Sequence, residues 1–283
     1  MIGGTSWNMI PPVVKNLLII NGLMFLAAMT FSQTFGIDLW EIFGLHYYQS
    51  DLFQPHQIVT YMFMHGSFSH IFFNMFAVWM FGSAIENVWG SKRFLIFYLL
   101  TGFGAAFLHY AIITYQLYPI TSQITDILVN PSATQIVDFS QSLPWRQFVS
   151  SSTVVPANDF LKYTVPQIQM NPNNQVAIGQ ATDFLSRYFK SIVDSQNVVG
   201  ASGSLFGILL AFGMMFPNMS LYMMFIPIPI KAKYLVTGYG LLELYSAFQN
   251  SPGDNVAHFA HIGGMIFGFL IIKFWQATGQ RWR

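Results

Sequence analysis

Six apolar runs divide the chain, and each is long enough, or nearly so, to cross a bilayer. They lie at residues 13–34, 68–88, 94–116, 198–216, 234–249 and 256–275. A bilayer core needs about 20 apolar residues in a helix. Because unpaired backbone groups are too costly in hydrocarbon, these runs should be helical. The pattern predicts six transmembrane helices, of which the fifth is the shortest.

The region between the third and fourth runs has a different pattern. Residues 117–197 are rich in Ser, Thr, Gln, Asn and Pro and contain no run that can span. Near their end, residues 183–195 have apolar positions at helical spacing, which predicts a helix lying on the membrane surface. We therefore predict three regions: residues 1–116 with spans one to three, an insert at 117–197, and residues 198–283 with spans four to six. The fold class is all-α, a polytopic helical bundle with a large outward-facing insert.

Composition and charge agree with a membrane protein. The chain is 53% hydrophobic and 8% charged, whereas soluble domains carry about 25% charged residues. The net charge is +1 and the sequence contains no basic block, which argues against a nucleic-acid partner. The absence of cysteine excludes disulfides, thiolate metal sites and cysteine catalysis.

The positions of the basic residues predict an orientation. Eight Lys and Arg residues fall at alternate ends of the six runs, and the opposite loops 35–67 and 250–255 contain none. The eight are Lys15, Lys92, Arg93, Lys231, Lys233, Lys273, Arg281 and Arg283. Because basic residues remain on the cytoplasmic side, both termini should be cytoplasmic and the insert should face outward.

The stretch GASG at residues 200–203 begins the fourth run at its outer end. Unpaired N–H groups at a helix start can stabilise the oxyanion that forms when a serine such as Ser202 attacks a carbonyl. Gly200 and Gly203 allow close approach of another backbone or a substrate. Small residues also serve packing alone between membrane helices, so this stretch by itself leaves packing and catalysis open.

Two histidines open the sixth run, also at its outer end. Spans four and six run in the same direction, so His258 and His261 should lie at the depth of Ser202, and a nucleophilic serine needs a base. Gly264 and Gly268 continue a stripe of small residues that permits close helix packing. His261 lies on that stripe, so its Nε2 atom should come within about 3 Å of the Ser202 hydroxyl. His258 lies one turn nearer to water and is predicted to be a hydrogen-bonded interfacial residue.

The second run adds two more polar groups near the same end. His70 and Asn74 are four residues apart and therefore project from one helix face. An imidazole and an amide are donors suited to an oxyanion, although the same groups can simply hydrogen-bond between helices. Polar groups on spans two, four and six thus converge, which predicts a functional site near the outer leaflet.

Taken together, these motifs resemble the rhomboid intramembrane serine proteases. The matching stretches are GASG around Ser202, AHIGGMIFG around His261, HGSFSHIFFN through Asn74, and ENVWGSKRFLIFYL with Glu86 and Arg93. The resemblance covers roughly residues 13–116 and 198–275. It implies a serine endopeptidase that cuts peptide bonds in or near transmembrane segments of membrane-protein substrates. It further implies a multi-pass protein of the bacterial inner membrane, without metal or cofactor.

The resemblance also implies roles for individual residues. Ser202 and His261 would form a catalytic dyad with no acidic third member, and Glu86 and Glu243 are expected to lie far from the outer face. The oxyanion hole would comprise His70, Asn74 and the backbone N–H of Ser202, with Gly200 beside it. Phe206 would support the imidazole ring, and His65 would have a structural role.

Two features depart from the family pattern. His56 and Gln57 stand where many members have a Trp-Arg pair in the first outer loop. The insert at 117–197 stands where many relatives have a short connection. Because it directly precedes Ser202, we expect it to cap the active site or to select substrates.

Three other functions compete with proteolysis. A rhomboid-like protein can bind membrane-protein clients without cutting them, usually after losing the serine or the histidine, and both are present here. A haem or metal protein could use His70, His258 and His261, although no thiolate or carboxylate supports such a site. A transporter is disfavoured because the sequence has neither duplicated halves nor a chain of intramembrane carboxylates.

Overall fold

The computed structural model describes residues 8–142, 145–146, 153–223, 226–249 and 257–279, and these residues are mostly helical. The helices are α1 (Pro12–Phe35), α2 (Leu39–Phe43), α3 (Gln57–Thr60), α4 (Phe68–Trp89), α5 (Ser91–Val129), α6 (Ala133–Gln141), α7 (Val154–Asp159), α8 (Val165–Met170), α9 (Gln175–Asp194), α10 (Ser202–Met215), α11 (Ala232–Gln249) and α12 (His258–Ala277). The strands are β1 (Leu45–His46), β2 (Asn197–Val198), β3 (Ser220–Met223) and β4 (Ile226–Lys231). The predicted outer loop 250–255, Arg281 and Arg283 lie outside the described residues.

Among the described residues, four helices are long and apolar enough to cross a membrane: α1, α4, α5 and α12. Helix α10 is apolar but has only 14 residues, and α11 is not among the four, so the number six stays a prediction. The predicted end of the third span at residue 116 is not the end of its helix. Helix α5 continues to Val129, with Pro119 inside it. The apolar run ends near residue 116, but a fall in hydropathy does not by itself end a helix.

Contacts between Cα atoms divide the chain into two compact units. The first comprises residues 1–45, 54–111 and 198–283, and the second comprises residues 46–53 and 112–197. The first unit contains α1, α4, α10, α11 and α12, and its ranges 54–111 and 198–283 include every residue of the predicted site. The role predicted for the insert stays a prediction.

Glu86 and Arg93 stabilise the first unit. The Glu86 carboxylate is buried and accepts hydrogen bonds from the N–H groups of Val13 and Val14, at 2.9 and 2.8 Å. These N–H groups lie in the first turn of α1, where a helix has no acceptors of its own. The Arg93 guanidinium lies 4.2 Å from the centre of the Trp275 ring, a cation–π contact. Both residues thus join helices of the first unit.

The second unit has an aromatic core. Helix α9 buries one face, where Phe184 stacks on Phe160 at 4.5 Å between ring centres, and Tyr188 packs against Trp145 at 5.6 Å. The prediction that residues 183–195 lie on the membrane surface is therefore wrong. An amphipathic helix must cover its apolar face, and here the other helices of the unit cover it.

The connection between α10 and α11 contains a β-hairpin that was not predicted. Strands β3 and β4 pair antiparallel, with Ser220 opposite Lys231 and Leu221 opposite Ile230. The alternation IPIPI at residues 226–230 was an available signal, because alternate residues of a strand face opposite sides.

Candidate active site

Helices α10 and α12 approach each other through positions that have no side chain. A Cβ atom on Gly264 would lie 1.9 Å from the carbonyl oxygen of Gly203, and one on Gly268 would lie 3.2 Å from the Cα atom of Gly207. Contacts this close exclude any larger residue at Gly264. The predicted glycine stripe therefore brings the two backbones together, and it does so at the depth of Ser202.

This packing brings the predicted nucleophile and base together. Ser202 is the first residue of α10, and its Oγ atom lies 2.8 Å from Nε2 of His261. The Phe206 ring stacks on the His261 imidazole with centres 4.2 Å apart and planes inclined by 13°. The Phe206 ring thus covers one face of the His261 imidazole, while Nε2 faces the Ser202 hydroxyl.

The other ring nitrogen of His261 faces a carboxylate. Oε2 of Glu243 lies 2.9 Å from Nδ1 of His261 and 2.6 Å from Nδ1 of His258. Only the His258 contact has hydrogen-bond alignment, whereas His261 approaches at ion-pair distance. Glu243 itself is 6% exposed. The expectation that Glu243 lies far from the outer face is therefore wrong, and the Ser202–His261 pair has an acidic neighbour.

A signal for Glu243 existed in the sequence. Helix α11 begins at Ala232, next to the basic residues Lys231 and Lys233, which were predicted to lie at the cytoplasmic end. At 1.5 Å per residue, Glu243 lies about 17 Å along the helix, past the middle of a bilayer core of about 30 Å. Counting from the basic end would have assigned Glu243 to the outer half. The direction of its side chain was not available from the count.

His70 lies beside Gly200 and Ser202, because Gly200 leaves room for its ring. A Cβ atom on Gly200 would lie 2.8 Å from Nε2 of His70 and 3.7 Å from Oγ of Ser202. Gly200 also has a φ of 125°, which side chains with a Cβ atom rarely adopt. The predicted neighbours Gly200, His70 and Ser202 are therefore in one place.

His65 packs edge-on against His70, with ring centres 4.8 Å apart. It lies before α4 and is fully buried. Burial and, to a smaller extent, the neighbouring His70 together lower the pKa of His65 to about 3. His65 is thus neutral at physiological pH, in keeping with the structural role that the family resemblance implies.

Asn74 is 6% exposed, and within the described part of the chain its Nδ2 atom has no hydrogen-bond partner. A buried donor without a partner is costly, which makes it available to an acceptor on a ligand. Asn74 also lines a cavity of about 390 Å³ together with Phe73, Phe206, Leu209 and Tyr239. The cavity is bounded by α4, α10, α11 and β3 and is mostly apolar.

Glu243, His258 and His261 also form a group whose possible metal-ligating atoms lie within 4.8 Å of one another. Two ligand atoms on one tetrahedral zinc ion are separated by about 3.3 Å, since each metal–ligand bond is about 2.0–2.2 Å. The observed separations of 2.6 and 2.9 Å are shorter. The geometry therefore fits a carboxylate in direct contact with two imidazoles better than a metal centre.

The departure at residues 56 and 57 has a structural explanation. Nε2 of His56 lies 2.9 Å from the carbonyl oxygen of Ile42, and Nε2 of Gln57 donates to the same oxygen at 3.2 Å. Ile42 is near the end of α2, where carbonyls lack helical partners. The two residues thus hold α2 by hydrogen bonds to its carboxyl end.

Four of the described helices are long and apolar enough to span a membrane, and the polar side chains of the candidate site lie between helices of the same bundle. These features are those of a polytopic helical membrane protein. The family model described as Rhomboid domain matches residues 52–121 and 176–276, which is more than half of the chain. The chain belongs to the rhomboid family. It is similar to Rhomboid-like protein 15 of Arabidopsis thaliana, with 32% identity over 107 residues. That match covers 38% of this chain and 26% of the relative, so the chain spans about a quarter of the relative's length.

Proposed function

We propose that this protein is an intramembrane serine endopeptidase that cleaves peptide bonds in or near transmembrane segments of other membrane proteins. The observation that carries the proposal is the 2.8 Å separation between Oγ of Ser202 and Nε2 of His261. A serine becomes nucleophilic only beside a base, and this distance is within hydrogen-bond reach. Membership of the rhomboid family supports the same activity.

The reaction proceeds through an acyl-enzyme. His261 accepts the Ser202 proton on Nε2 while Oγ attacks the peptide carbonyl, and the tetrahedral oxyanion is stabilised by Asn74 Nδ2, His70 and the N–H of Ser202. His261 then gives its proton to the leaving amine, and the C–N bond breaks. Water, deprotonated by Nε2 of the same imidazole, attacks the ester carbonyl; the C–Oγ bond breaks, the acid product leaves, and His261 returns the proton to Oγ of Ser202.

The surroundings of the site favour a membrane-embedded substrate. The apolar cavity beside Asn74 and Phe206 suits an apolar peptide segment. A helical substrate hides its carbonyls in hydrogen bonds, so segments with small or helix-breaking residues should be cleaved first. In this proposal α10 and α11 complete six spans, both termini are cytoplasmic, and the site opens to the outer face.

A fluorophosphonate probe tests the proposal in detergent-purified protein. We expect labelling of the wild type and loss of labelling in Ser202→Ala and His261→Ala. The matched control is Ser204→Ala, because Ser204 lies two residues further along and its hydroxyl donates to the Tyr98 carbonyl at 2.8 Å. This control should still be labelled.

Cleavage of a transmembrane substrate in proteoliposomes provides the second measurement. Wild-type and Ser204→Ala protein should cut the substrate, whereas Ser202→Ala should not. A folded wild type that neither takes the probe nor cuts any substrate would refute the protease and favour the client-binding function.

A further inference from the structure

Glu243 presents one carboxylate oxygen to two imidazoles. Oε2 lies 2.9 Å from Nδ1 of His261 and 2.6 Å from Nδ1 of His258, and the side chain is almost fully buried. We infer that Glu243 is the positioning residue of the catalytic base, so that Ser202, His261 and Glu243 act as a triad. This inference rests on the proposed protease function and goes beyond the dyad.

The contact determines which nitrogen of His261 carries the proton. An ionised carboxylate can only accept hydrogen bonds, and a lone pair on Nδ1 would be repelled by an oxygen 2.9 Å away. The neutral ring is therefore protonated on Nδ1. Its lone pair is then on Nε2 and faces the Ser202 hydroxyl, which is the tautomer that a general base needs.

Glu243 also stabilises the charge that develops during the reaction. When Nε2 takes the serine proton, the ring becomes a cation with the carboxylate next to Nδ1. Opposite charges at this distance attract strongly when shielded from water, and Glu243 is 6% exposed. Glu243 is not protonated at any step, because the proton moves from Oγ to Nε2 and then to the leaving amine.

His258 holds the carboxylate in place. A buried carboxylate needs donors to offset the loss of water, and the aligned hydrogen bond from His258 supplies one at 2.6 Å. Because His258 and His261 lie one turn apart on α12, both approach the same oxygen from one helix. The carboxylate is thereby joined to the helix that carries the base.

Kinetics of Glu243 variants test the inference. In Glu243→Gln the amide can donate to Nδ1 and so favour the wrong tautomer. We expect kcat for a transmembrane substrate to fall roughly 10²- to 10⁴-fold with KM unchanged, and Glu243→Asp to recover part of the loss. The control is the same change at an exposed position, Glu41→Gln, which should leave kcat unchanged.

The pH profile separates positioning from a purely structural role. The titratable groups that interact with His261 are Glu243 on α11, His258 on α12, His70 on α4 and His109 on α5. Glu243→Gln removes the negative charge from this set. The acid limb of the kcat/KM profile should therefore move to lower pH. Wild-type kcat in folded Glu243→Gln, or a lowered kcat with an unmoved acid limb and no recovery in Glu243→Asp, would overturn the inference.

A measurement on the folded wild type covers the case in which Glu243→Gln does not fold. Nitrogen-15 NMR of labelled histidine should show neutral His261 protonated on Nδ1, with the signal assigned by its loss in His261→Ala. Protonation on Nε2 would overturn the inference. Absence of both cleavage and probe labelling in the wild type would instead refute the protease function, so the two failures are distinguishable.

Discussion

The two compact units use opposite kinds of packing. In the second unit, Trp145 is 1% exposed and lies among the rings of Phe139, Phe160 and Tyr188. In the first unit, α10 and α12 meet where Gly203 and Gly264 have no side chain. Packing in the second unit relies on large aromatic side chains, whereas the contact between α10 and α12 in the first unit relies on glycines that have no side chain.

The two kinds of packing are stabilised by different contributions to the free energy. An aromatic core is stabilised by the large apolar area that it buries. Between membrane helices, moving an apolar side chain from lipid to protein gains little, because lipid is equally apolar. Close backbone packing and polar contacts stabilise such helices instead. The small residues at this contact also bring Ser202 and His261 to 2.8 Å, which places the candidate site in the first unit.

Removal of Trp145 should give the largest effect on stability. Trp145→Ala leaves a cavity in the second unit and should lower its free energy of unfolding by about 3–5 kcal/mol. Thermal unfolding in detergent, followed by circular dichroism, measures the loss. Trp79→Ala is the control because Trp79 is 37% exposed, and it should cost much less. Equal losses in the two variants would contradict an aromatic core that depends on size.

Addition of one methyl group should damage the first unit. Gly264→Ala puts a Cβ atom against the Gly203 carbonyl and should cost about 1–3 kcal/mol. It should also reduce fluorophosphonate labelling, because separation of α10 and α12 draws His261 away from Ser202. Gly238→Ala is the matched control, since a Cβ atom on Gly238 meets nothing within 4 Å. If both variants keep wild-type stability and labelling, the close contact is not required.

Acidification should destabilise the first unit through His65. Burial lowers the pKa of His65 to about 3, whereas the unfolded chain binds this proton below about 6.5. Stability is therefore fully present above pH 6.5 and falls as pH decreases toward 3, by up to about 1.4 kcal/mol per pH unit. Unfolding of wild type and His65→Gln from pH 7 to pH 4 should give the steeper decline in the wild type. Parallel curves would contradict this assignment.

The smallest effect should come from the surface of the second unit. Lys190 contacts Asp51 at 2.7 Å, and both side chains are mostly exposed. Water and salt weaken such a pair, so Lys190→Met should leave the melting temperature unchanged within error. A decrease as large as that of Trp145→Ala would mean that ion pairs, and not the aromatic core, hold the unit together.

The sequence by itself determined the pairing of Ser202 with His261. Both residues begin apolar runs that were predicted to cross in the same direction, and the glycines that follow predict close contact, so spacing alone predicted that they meet. It also determined that His70 and Asn74 share a face of α4. These are properties of helix periodicity and of chain direction, which a linear pattern contains.

Only the tertiary structure decided what surrounds this pair. Glu243 faces His261 because of how α11 is rotated against α12, and rotation depends on packing between helices and not on the pattern within one. The sequence could not show what covers the apolar face of α9 for the same reason. Periodicity predicts that a helix has an apolar face, but it does not predict which part of the protein packs against that face. The sequence predicted that Ser202 and His261 meet, and the packing of α11 against α12 added the Glu243 carboxylate.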